Sequence, residues 1–395
     1  MAETMTGRQR LQTAISGGQA DRVPWAPLID PYFLASLPES FQREHFGATT
    51  DQGDTVTEPL YLSDTWRRRV IDFTKHIGAD VFQRHAPGLV MRVEDLHIEQ
   101  SPQGREIVRR HVTRRGVLTD VVYSVPESPN YPFYGKEYKL KTVEDLGVYR
   151  YIWENTHFES DYPAFLAEEA YIGDAGLAAI DGPQSAVQLL LGEEAGMSNF
   201  YALLQDHPRE IEMLIEAMHA KIRQAYHVIA QSPAKVVVAM EDLSSTTSSP
   251  AIFERFSWRH LNEYADIVHA EGKTFLAHMC GRLKAMAPLI AQSRLDGVES
   301  LTPPSIGDLS VAQARRQWGQ RRILIGGLDA NLMLQADQQE VRTAVLDVLG
   351  QAGDGTHFVL SNADAMPHGA RLDTLQTIAE VTQQHGRLPL AGGHN

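Results

Sequence analysis

Short apolar runs alternate with stretches of helical periodicity along most of the chain. Each run predicts a buried strand, and each periodic stretch predicts the helix that leads to the next parallel strand. The predicted strands are residues 23–29, 79–83, 177–181, 236–240, 274–278, 295–298, 323–327 and 357–361. Eight βα units with right-handed connections make up a (β/α)8 TIM barrel. The pattern therefore predicts an α/β protein with a TIM-barrel fold.

The region of about 93–140 breaks this alternation. Its residues alternate between apolar and polar around an Arg-Arg-Gly turn that ends at Gly116, which is typical of a β-hairpin. We therefore predict one barrel domain over 1–395, with an N-terminal extension over 1–22 and a hairpin inserted after the second strand. A doubly wound sheet is the alternative fold, but no glycine-rich nucleotide-binding motif follows any predicted strand.

Polar residues lie on or just after the predicted strands. In a TIM barrel the strand ends converge on the carboxyl-terminal mouth, where enzymes of this fold carry their active sites. An aspartate or asparagine there also caps the following helix, so one such residue alone does not indicate catalysis. The set also contains a histidine and the only cysteine of the chain, which helix caps do not explain. Its members are Asp30, Asp80, Asp181, Glu241, Asp242, His278, Cys280, Glu299, Asp329, Asn362 and Asp364.

His278 and Cys280 lie two residues apart at the end of a predicted strand. They can face the same point, because alternate side chains of a strand share a side. Glu299 ends the next predicted strand. Imidazole nitrogen, thiolate and carboxylate are the donors that zinc prefers, and three protein ligands leave one position open for chemistry. The sequence therefore predicts a catalytic metal centre of His278, Cys280 and Glu299.

Charge and composition narrow the classes of function. The formal net charge of −14 argues against nucleic-acid binding, which needs a basic surface. A single cysteine excludes an intrachain disulfide and fits a reducing compartment. No run approaches the length of a membrane span, and the N-terminus has no apolar signal core. We therefore expect a soluble cytoplasmic protein that acts on a small molecule, with no nucleic-acid or membrane partner; these properties are compatible with a homo-oligomer.

Five segments carry motifs of a known family. They are MTGRQRLQTAISGGQADRVPW at 5–25, AHMCG at 277–281, LDGVESLTPP at 295–304, ILIGGLDANLML at 323–334 and THFVLSNADAMPHG at 356–369. Together they resemble the uroporphyrinogen decarboxylase superfamily. The resemblance covers nearly the whole chain and is most specific over 271–370. It implies a (β/α)8 barrel, in agreement with the strand pattern.

Two branches of that superfamily imply different chemistry. Uroporphyrinogen decarboxylases carry an arginine-rich loop after the first strand that binds the carboxylates of the tetrapyrrole, whereas the segment 29–46 here contains one arginine, Arg43. The other branch contains zinc-dependent, corrinoid-linked methyltransferases with a zinc-binding His-x-Cys pair, which His278 and Cys280 match. Many of its members add a late cysteine that this chain lacks. The resemblance therefore implies either that Glu299 completes the site, with Glu241 as the reserve ligand, or that this chain has lost the metal.

The leading hypothesis is zinc-dependent methyl transfer between a small substrate, such as a methyl ether or a thiol, and a corrinoid cofactor carried by a partner protein. A metal-free decarboxylase that acts on a smaller carboxylic acid, with Asp80 as its key carboxylate, is the alternative enzyme. A noncatalytic barrel that binds a corrinoid protein is the third hypothesis. The predicted catalytic residues, which orient the substrate or move protons, are Asp80, Glu241 and Asp329. The predicted substrate-binding residues are Asp30, Tyr32, Asn362 and His368.

Overall fold

The structure is a computed structural model that describes residues 3–46, 63–125 and 133–390. The strands in these residues are β1 (Val81–Ala86), β2 (Leu89–Val93), β3 (His97–Gln103), β4 (Glu106–Thr113), β5 (Gly116–Ser124), β6 (Phe133–Glu137), β7 (Thr156–Ser160), β8 (Gly176–Gly182), β9 (Val236–Ala239), β10 (Thr274–His278), β11 (Gly297–Leu301), β12 (Ile323–Leu328) and β13 (Phe358–Asn362).

The α-helices of the same residues are α1 (Gly7–Ile15), α2 (Pro31–Ser36), α3 (Glu39–Phe46), α4 (Asp64–His76), α5 (Val143–Glu154), α6 (Tyr162–Ile172), α7 (Ala186–Leu189), α8 (Gly196–Asp206), α9 (Pro208–Ala230), α10 (Pro250–Ile252), α11 (Arg259–Ala270), α12 (Ala287–Gln292), α13 (Val311–Trp318), α14 (Gln338–Gln351) and α15 (Leu372–His385). Short stretches of 3-10 or π-helix lie at Gly173–Ala175, Leu190–Glu194, Phe253–Trp258 and Ala330–Leu334.

Seven strands form one curled parallel sheet in the order β1-β8-β9-β10-β11-β12-β13. Every neighbouring pair in this sheet is parallel, and helices connect most of the successive strands. The arrangement is TIM-barrel-like, so the predicted α/β class and seven of the eight predicted strands are confirmed. All carboxyl ends of these strands lie at the same end of the sheet, which is the mouth where the sequence places the polar residues.

The first predicted strand, 23–29, is not a regular strand. It makes a single parallel bridge, from Trp25 to Leu360 of β13, with Ala26 N donating to Leu360 O at 2.9 Å and Leu360 N to Pro24 O at 2.9 Å. On its other side, Asp80 N donates to Trp25 O at 2.7 Å, just before β1 begins. The segment therefore bonds to both edges of the sheet. Its prolines lack the N–H that a regular ladder needs, which explains the short pairing.

Residues on the strands of the main sheet are buried on both faces. One face contributes to an apolar cluster that includes Phe82, Ala179, Val238, Leu276 and Ile325, together with Leu11, Ala14 and Ile15 of α1. The alternate residues belong to a larger cluster with the surrounding helices. Two-sided burial explains why these strands are continuous apolar runs rather than alternating patterns. Within the described residues, no helix is both long and apolar enough to cross a membrane.

The inserted region is more extensive than one hairpin. Strands β3 to β6 form a four-stranded antiparallel sheet, and β2 pairs with β7 in a separate two-stranded sheet. The predicted hairpin is present within it, as β4 and β5, with Thr113 opposite Gly116 across the turn. Residues 126–132 of the predicted insertion lie outside the described part of the chain.

Candidate metal centre

Three donor side chains meet at the carboxyl end of the sheet. One ligand atom from each of Asp242, His278 and Cys280 lies within 4.8 Å of the other two. His278 Nε2 is 3.3 Å from Asp242 Oδ1, and Cys280 Sγ is 3.7 Å from the same oxygen. His278 is buried, whereas the Asp242 side chain is 49% exposed. The cluster therefore lies where a buried ligand meets the open mouth.

The ends of adjacent strands produce this cluster. His278 is the last residue of β10, and Cys280 follows two residues later. Asp242 follows β9, and its backbone N donates to the His278 carbonyl at 2.9 Å. Asp242 has a φ of 45°, and Ser300, near the end of β11, and Asp364, just after β13, have φ of 65° and 66°. Left-handed backbone is uncommon outside glycine, and such residues concentrate at functional sites.

Glu299 lies on the other side of His278. It is opposite His278 in the register of β10 and β11, and its Oε2 bonds to His278 Nδ1. Its Oε1 accepts from Arg84 Nε at 2.6 Å. Burial opposes ionisation, but the charges of Arg84 and His278 lower the pKa of Glu299 to about 2. The group of three donors thus contains Asp242 where the sequence predicts Glu299, and Glu299 fixes the imidazole, as carboxylates commonly do for metal-binding histidines.

Arg84 is a residue that the sequence interpretation missed. It is 1% exposed inside the sheet. Besides Glu299, it donates to the Ala26 carbonyl at 3.1 Å and to Ser361 Oγ at 3.2 Å. It therefore ties β11 to the first segment and to β13 beneath the candidate metal centre. The available signal was an arginine that follows directly on the predicted strand 79–83.

The electrostatics of the cluster favour a bound cation. Burial raises the pKa of the Cys280 thiol, since it outweighs the charge of His278, and the carboxylates of Asp364 and Asp242 raise it further. Burial also raises the pKa of Asp242, in spite of the nearby His278. Burial lowers the pKa of His278, but the Glu299 charge outweighs it and the net shift is well upward. A divalent ion would relieve this arrangement by stabilising the thiolate and the carboxylate.

A second imidazole–carboxylate pair lies at the same end of the sheet. His85 Nδ1 is 2.6 Å from Asp181 Oδ2, across the adjacent strands β1 and β8. Asp30, the N-cap of α2, is close enough for its charge to interact with both His85 and Asp364. Burial raises the pKa of Asp30 to about 6, although its bond from Tyr32 N and the His85 charge oppose the rise. The sequence pattern included Asp181 but not His85.

Asp80 does not lie at the mouth. It directly precedes β1, at the amino end of the sheet, and is 3% exposed. Its Oδ1 pairs with Arg10 Nη1 at 2.5 Å, and its Oδ2 pairs with Arg22 Nη1 at 2.8 Å and accepts from Trp25 N at 3.1 Å. The predicted catalytic role of Asp80 therefore needs correction, because its carboxylate is enclosed by arginines at the end of the sheet away from His278.

The other two predicted catalytic acids are also engaged in local bonds. Asp329 caps the 3-10 helix at Ala330–Leu334 and accepts from Ser305 N at 3.3 Å. Glu241 is fully buried and accepts from both the backbone N and the hydroxyl of Ser185, at 2.9 and 2.6 Å. Burial raises the pKa of Glu241 to about 7 despite these bonds. Both lie at strand ends, and their catalytic roles stay predictions.

The predicted substrate-binding residues fall into two groups. Asn362 is fully buried and bonds to both Leu28 N and Leu28 O, at 2.9 and 3.1 Å, so it joins β13 to the first segment. Asp30 and Tyr32 lie together at the start of α2, and His368 is exposed beyond β13. Substrate contact by these residues stays a prediction.

The fold and the site define a class of protein, a TIM-barrel-like α/β protein with a candidate metal centre of His, Cys and Asp at its mouth. The family model of uroporphyrinogen decarboxylase (URO-D) matches residues 166–385, more than half of the chain. The chain therefore belongs to the uroporphyrinogen decarboxylase family. No curated protein sequence matches it.

Solved structures resemble the whole chain. A methyltransferase from Methanosarcina mazei aligns with a TM-score of 0.61 at 13% identity, covering 96% of this chain and 99% of that one. A B12-independent methionine synthase from Shewanella sp. W3-18-1 aligns with a TM-score of 0.47 at 10% identity, covering 92% of this chain and 98% of that one. At such identities, the first of these likenesses establishes a shared fold.

Proposed function

We propose that this protein is a zinc-dependent methyltransferase, which transfers a methyl group between a small substrate and a corrinoid on a partner protein. The observation that carries the proposal is the meeting of Asp242, His278 and Cys280 within 4.8 Å at the mouth. Nitrogen, sulfur and oxygen donors of this kind suit zinc, and three of them leave a position open. The fold shared with the methyltransferase from Methanosarcina mazei supports it. In this proposal, the segment 23–29 completes an eight-stranded (β/α)8 barrel.

The residues of the chain have distinct tasks in this function. His278 binds the metal through Nε2, because its Nδ1 bonds to Glu299. Arg84 holds Glu299 in place and keeps it ionised, so that the imidazole keeps one orientation. Cys280 and Asp242 supply the anionic donors. When bound, zinc acts as a Lewis acid that polarises the heteroatom bearing the methyl group. Placement of the substrate over a rigid mouth contributes the alignment that in-line displacement needs.

The structure does not favour the decarboxylase alternative. That hypothesis depended on Asp80 as the carboxylate that acts on the substrate. Asp80 lies at the amino end of the sheet and is paired with Arg10 and Arg22. We propose that the protein is cytoplasmic and that its partners are a small-molecule substrate and a corrinoid protein.

Zinc content and methyl transfer test the proposal together. We expect purified protein to hold about one zinc per chain and to methylate free reduced cobalamin from a methyl donor. The Cys280→Ala variant should lose both the zinc and the activity. His269→Gln is the matched control, since His269 pairs with Asp296 at 2.8 Å near the amino end of the sheet, and it should keep both. Protein without zinc, or a Cys280→Ala variant that retains metal and activity, would contradict the proposal.

A further inference from the structure

Two of the donor–donor distances in the candidate metal centre match those of a coordination sphere. His278 Nε2 is 3.3 Å from Asp242 Oδ1, and Cys280 Sγ is 3.7 Å from the same oxygen. In a tetrahedral zinc site, two such donors lie roughly 3.4–3.6 Å apart, given the bond lengths that zinc makes with nitrogen, oxygen and sulfur. The donors therefore need little movement to bind an ion, and the backbones that carry them must be held in place before it binds.

A buried glutamine holds the backbone of Asp242. Asp242 has a φ of 45°, and a residue other than glycine keeps such a left-handed conformation only where its surroundings impose it. Its N–H donates to the His278 carbonyl at 2.9 Å. Its carbonyl accepts from Nε2 of Gln188, on α7, at 3.1 Å, and Gln188 is 6% exposed. The two bonds fix both ends of Asp242 and therefore the direction of its carboxylate.

A buried threonine holds the backbone of Cys280 in a similar way. Thr302 follows β11 directly and is 1% exposed. Its hydroxyl donates to the Cys280 carbonyl at 2.7 Å, and the Ser300 carbonyl lies farther from it, at 3.0 Å. Cys280 lies beyond the last residue pair of β10 and β11. The bond from Thr302 therefore supplies a restraint that the strand ladder no longer gives.

The two turns that carry these ligands pack directly against each other. Arg282 N, in the turn after β10, donates to Ser244 Oγ, in the turn after β9, at 3.2 Å. A Cβ atom at Gly281 would lie 2.3 Å from Ser244 Cβ and 2.7 Å from the Leu243 carbonyl oxygen. Glycine permits this close approach of the two backbones. A shift of either turn would therefore change the distance between the two anionic ligands.

We infer that Gln188 and Thr302 are positioning residues of the metal centre; this inference rests on the proposed zinc-dependent function. Gln188 sets the direction of the Asp242 carboxylate, and Thr302 sets that of the Cys280 thiolate. Both act through the backbone of a ligand. Losing either bond leaves all three ligands in the chain but lets one of them move away from the other two. The affinity for zinc then falls, and the geometry around the bound ion changes.

The first test removes one hydrogen bond at a time and measures zinc affinity by competition with a chromophoric chelator. Thr302→Val and Gln188→Met keep a similar side-chain volume and lose the donor. We expect each variant to bind zinc about 10–100-fold more weakly than the wild type. Thr302→Ser, which restores the hydroxyl, should recover most of the affinity.

Thr382→Val is the matched control for the loss of a buried hydroxyl. Thr382, on α15, is fully buried, and its hydroxyl also donates to a backbone carbonyl at 2.7 Å, that of Ile378. This bond restrains no metal ligand. We expect Thr382→Val to lower the unfolding free energy of the metal-free protein about as much as Thr302→Val does, and to leave the zinc affinity unchanged.

The second test loads the same proteins with cobalt(II), because its visible spectrum reports the geometry of the ligands. The d–d bands of Thr302→Val and Gln188→Met should differ from those of the wild type in position and intensity. The spectrum of Thr382→Val should match the wild-type spectrum. A substitution that only loosened the fold would lower the unfolding free energy and leave the cobalt spectrum as it is.

The two measurements separate failure of this inference from failure of the proposed function. A variant of Gln188 or Thr302 that binds zinc as tightly as Thr382→Val does, or that has the wild-type cobalt spectrum, would overturn the assignment of that residue. A wild-type protein that binds zinc but transfers no methyl group contradicts the proposed function alone, since the zinc affinities still decide the two assignments. A wild-type protein that binds no zinc contradicts both.

Discussion

The two ends of the main sheet carry ionic clusters of opposite character. At the amino end, Asp80 and Asp21 face Arg10 and Arg22, and both arginine side chains are at most 5% exposed. At the carboxyl end, the charge of Asp364 acts on both Asp242 and Asp30. Glu3, which is 47% exposed, also pairs with both arginines. The first cluster is therefore balanced in the sense that each of its carboxylates pairs with an arginine, whereas the second has an excess of negative charge and opens to solvent. A balanced cluster stabilises the fold, and an unbalanced one is suited to bind a cation or a proton donor.

The pKa values of the aspartates express the same difference. At the amino end, bonds from Arg10 and from two backbone N–H groups overcome burial and lower the pKa of Asp21 to about 2. At the carboxyl end, burial raises the pKa of Asp30 to about 6. The same type of side chain is thus held ionised at one end and pushed toward the neutral form at the other, which is the pattern expected when one end is structural and the other functional.

Removing the central acid of the balanced cluster should have the largest effect on stability. In Asp80→Ala, Arg10 and Arg22 lose the buried partner that they share, and breaking a buried ion pair typically costs about 3–5 kcal/mol. We expect the free energy of unfolding to fall by roughly that amount in a denaturant titration. The zinc content of the folded fraction should not change, because Asp80 lies at the opposite end from His278.

A double variant distinguishes this structural role from a catalytic one. Replacing Asp80 together with Arg10, as Asp80→Asn with Arg10→Met, removes both charges of one pair and should restore part of the lost stability. Methyl transfer by the surviving folded protein should match that of the wild type. A single Asp80→Asn variant that unfolds normally but loses catalysis would reverse the structural assignment and restore the role predicted from sequence.

At the carboxyl end of the sheet, substitutions should change the affinity for the metal more than the stability of the fold. Asp242 is half exposed, so Asp242→Ala should leave the unfolding free energy of the metal-free protein within about 0.5 kcal/mol of the wild type. If the binding energy of zinc is shared among about four donors, losing one lowers the zinc affinity by roughly 100-fold or more. Competition with a chromophoric chelator measures this affinity.

The Glu299→Gln variant shows whether Asp242 or Glu299 is the metal ligand that accompanies His278 and Cys280. If Glu299 orients His278 from outside the metal sphere, its replacement should weaken zinc binding by about 10–100-fold, less than the loss of Asp242. Glu299→Gln also leaves the Arg84 charge without its carboxylate, so the titration is made on protein shown to be folded. The opposite order, with zinc lost in Glu299→Gln and retained in Asp242→Ala, would establish the set of His278, Cys280 and Glu299.

The regular part of the fold could be predicted because its signal is local. Strands such as Val236–Ala239 and Ile323–Leu328 are buried on both faces and therefore appear as apolar runs. The segment 23–29 has a similar composition, but its prolines prevent a regular ladder. The four-stranded sheet of the insertion was only partly predictable, because a turn such as that before Gly116 identifies one hairpin and not the strands that pair with it later.

The site was harder to predict, since its geometry depends on which strands are adjacent. His278 and Cys280 could be paired from their spacing alone. Asp80 lies early in its predicted strand and therefore fitted the ring of strand ends least well, whereas Asp242 follows its strand. The sequence does not show that arginines enclose Asp80 or that Asp242 meets His278. Arg84 and His85 lie near the end of β1, which ends at Ala86, three residues beyond the end of the predicted strand 79–83, so neither could be assigned to the mouth.

The smallest predicted effect is a difference between the two ends of the sheet in how the unfolding free energy depends on pH. Asp30 has a raised pKa in the folded protein, so its contribution to stability is fully present below about pH 4 and is lost as the pH rises through about 6. Asp30→Asn cannot ionise and keeps an N-cap oxygen for α2. We therefore expect the variant and the wild type to unfold similarly at pH 4, and the metal-free variant to be more stable by roughly 1–2 kcal/mol above pH 6.

Asp21→Asn is the matched variant at the amino end, and its sign is opposite. The pKa of Asp21 is lowered to about 2, so its contribution to stability is present above about pH 4 and is lost as the pH falls through about 2. This variant should be less stable than the wild type near neutral pH, by roughly 1–2 kcal/mol, and should converge with it in acid. Denaturant titrations at a series of pH values measure both curves. If Asp30→Asn and Asp21→Asn shift the unfolding free energy in the same direction near neutral pH, the two clusters do not differ in charge balance. The electrostatic argument for cation binding at the carboxyl end would then be wrong.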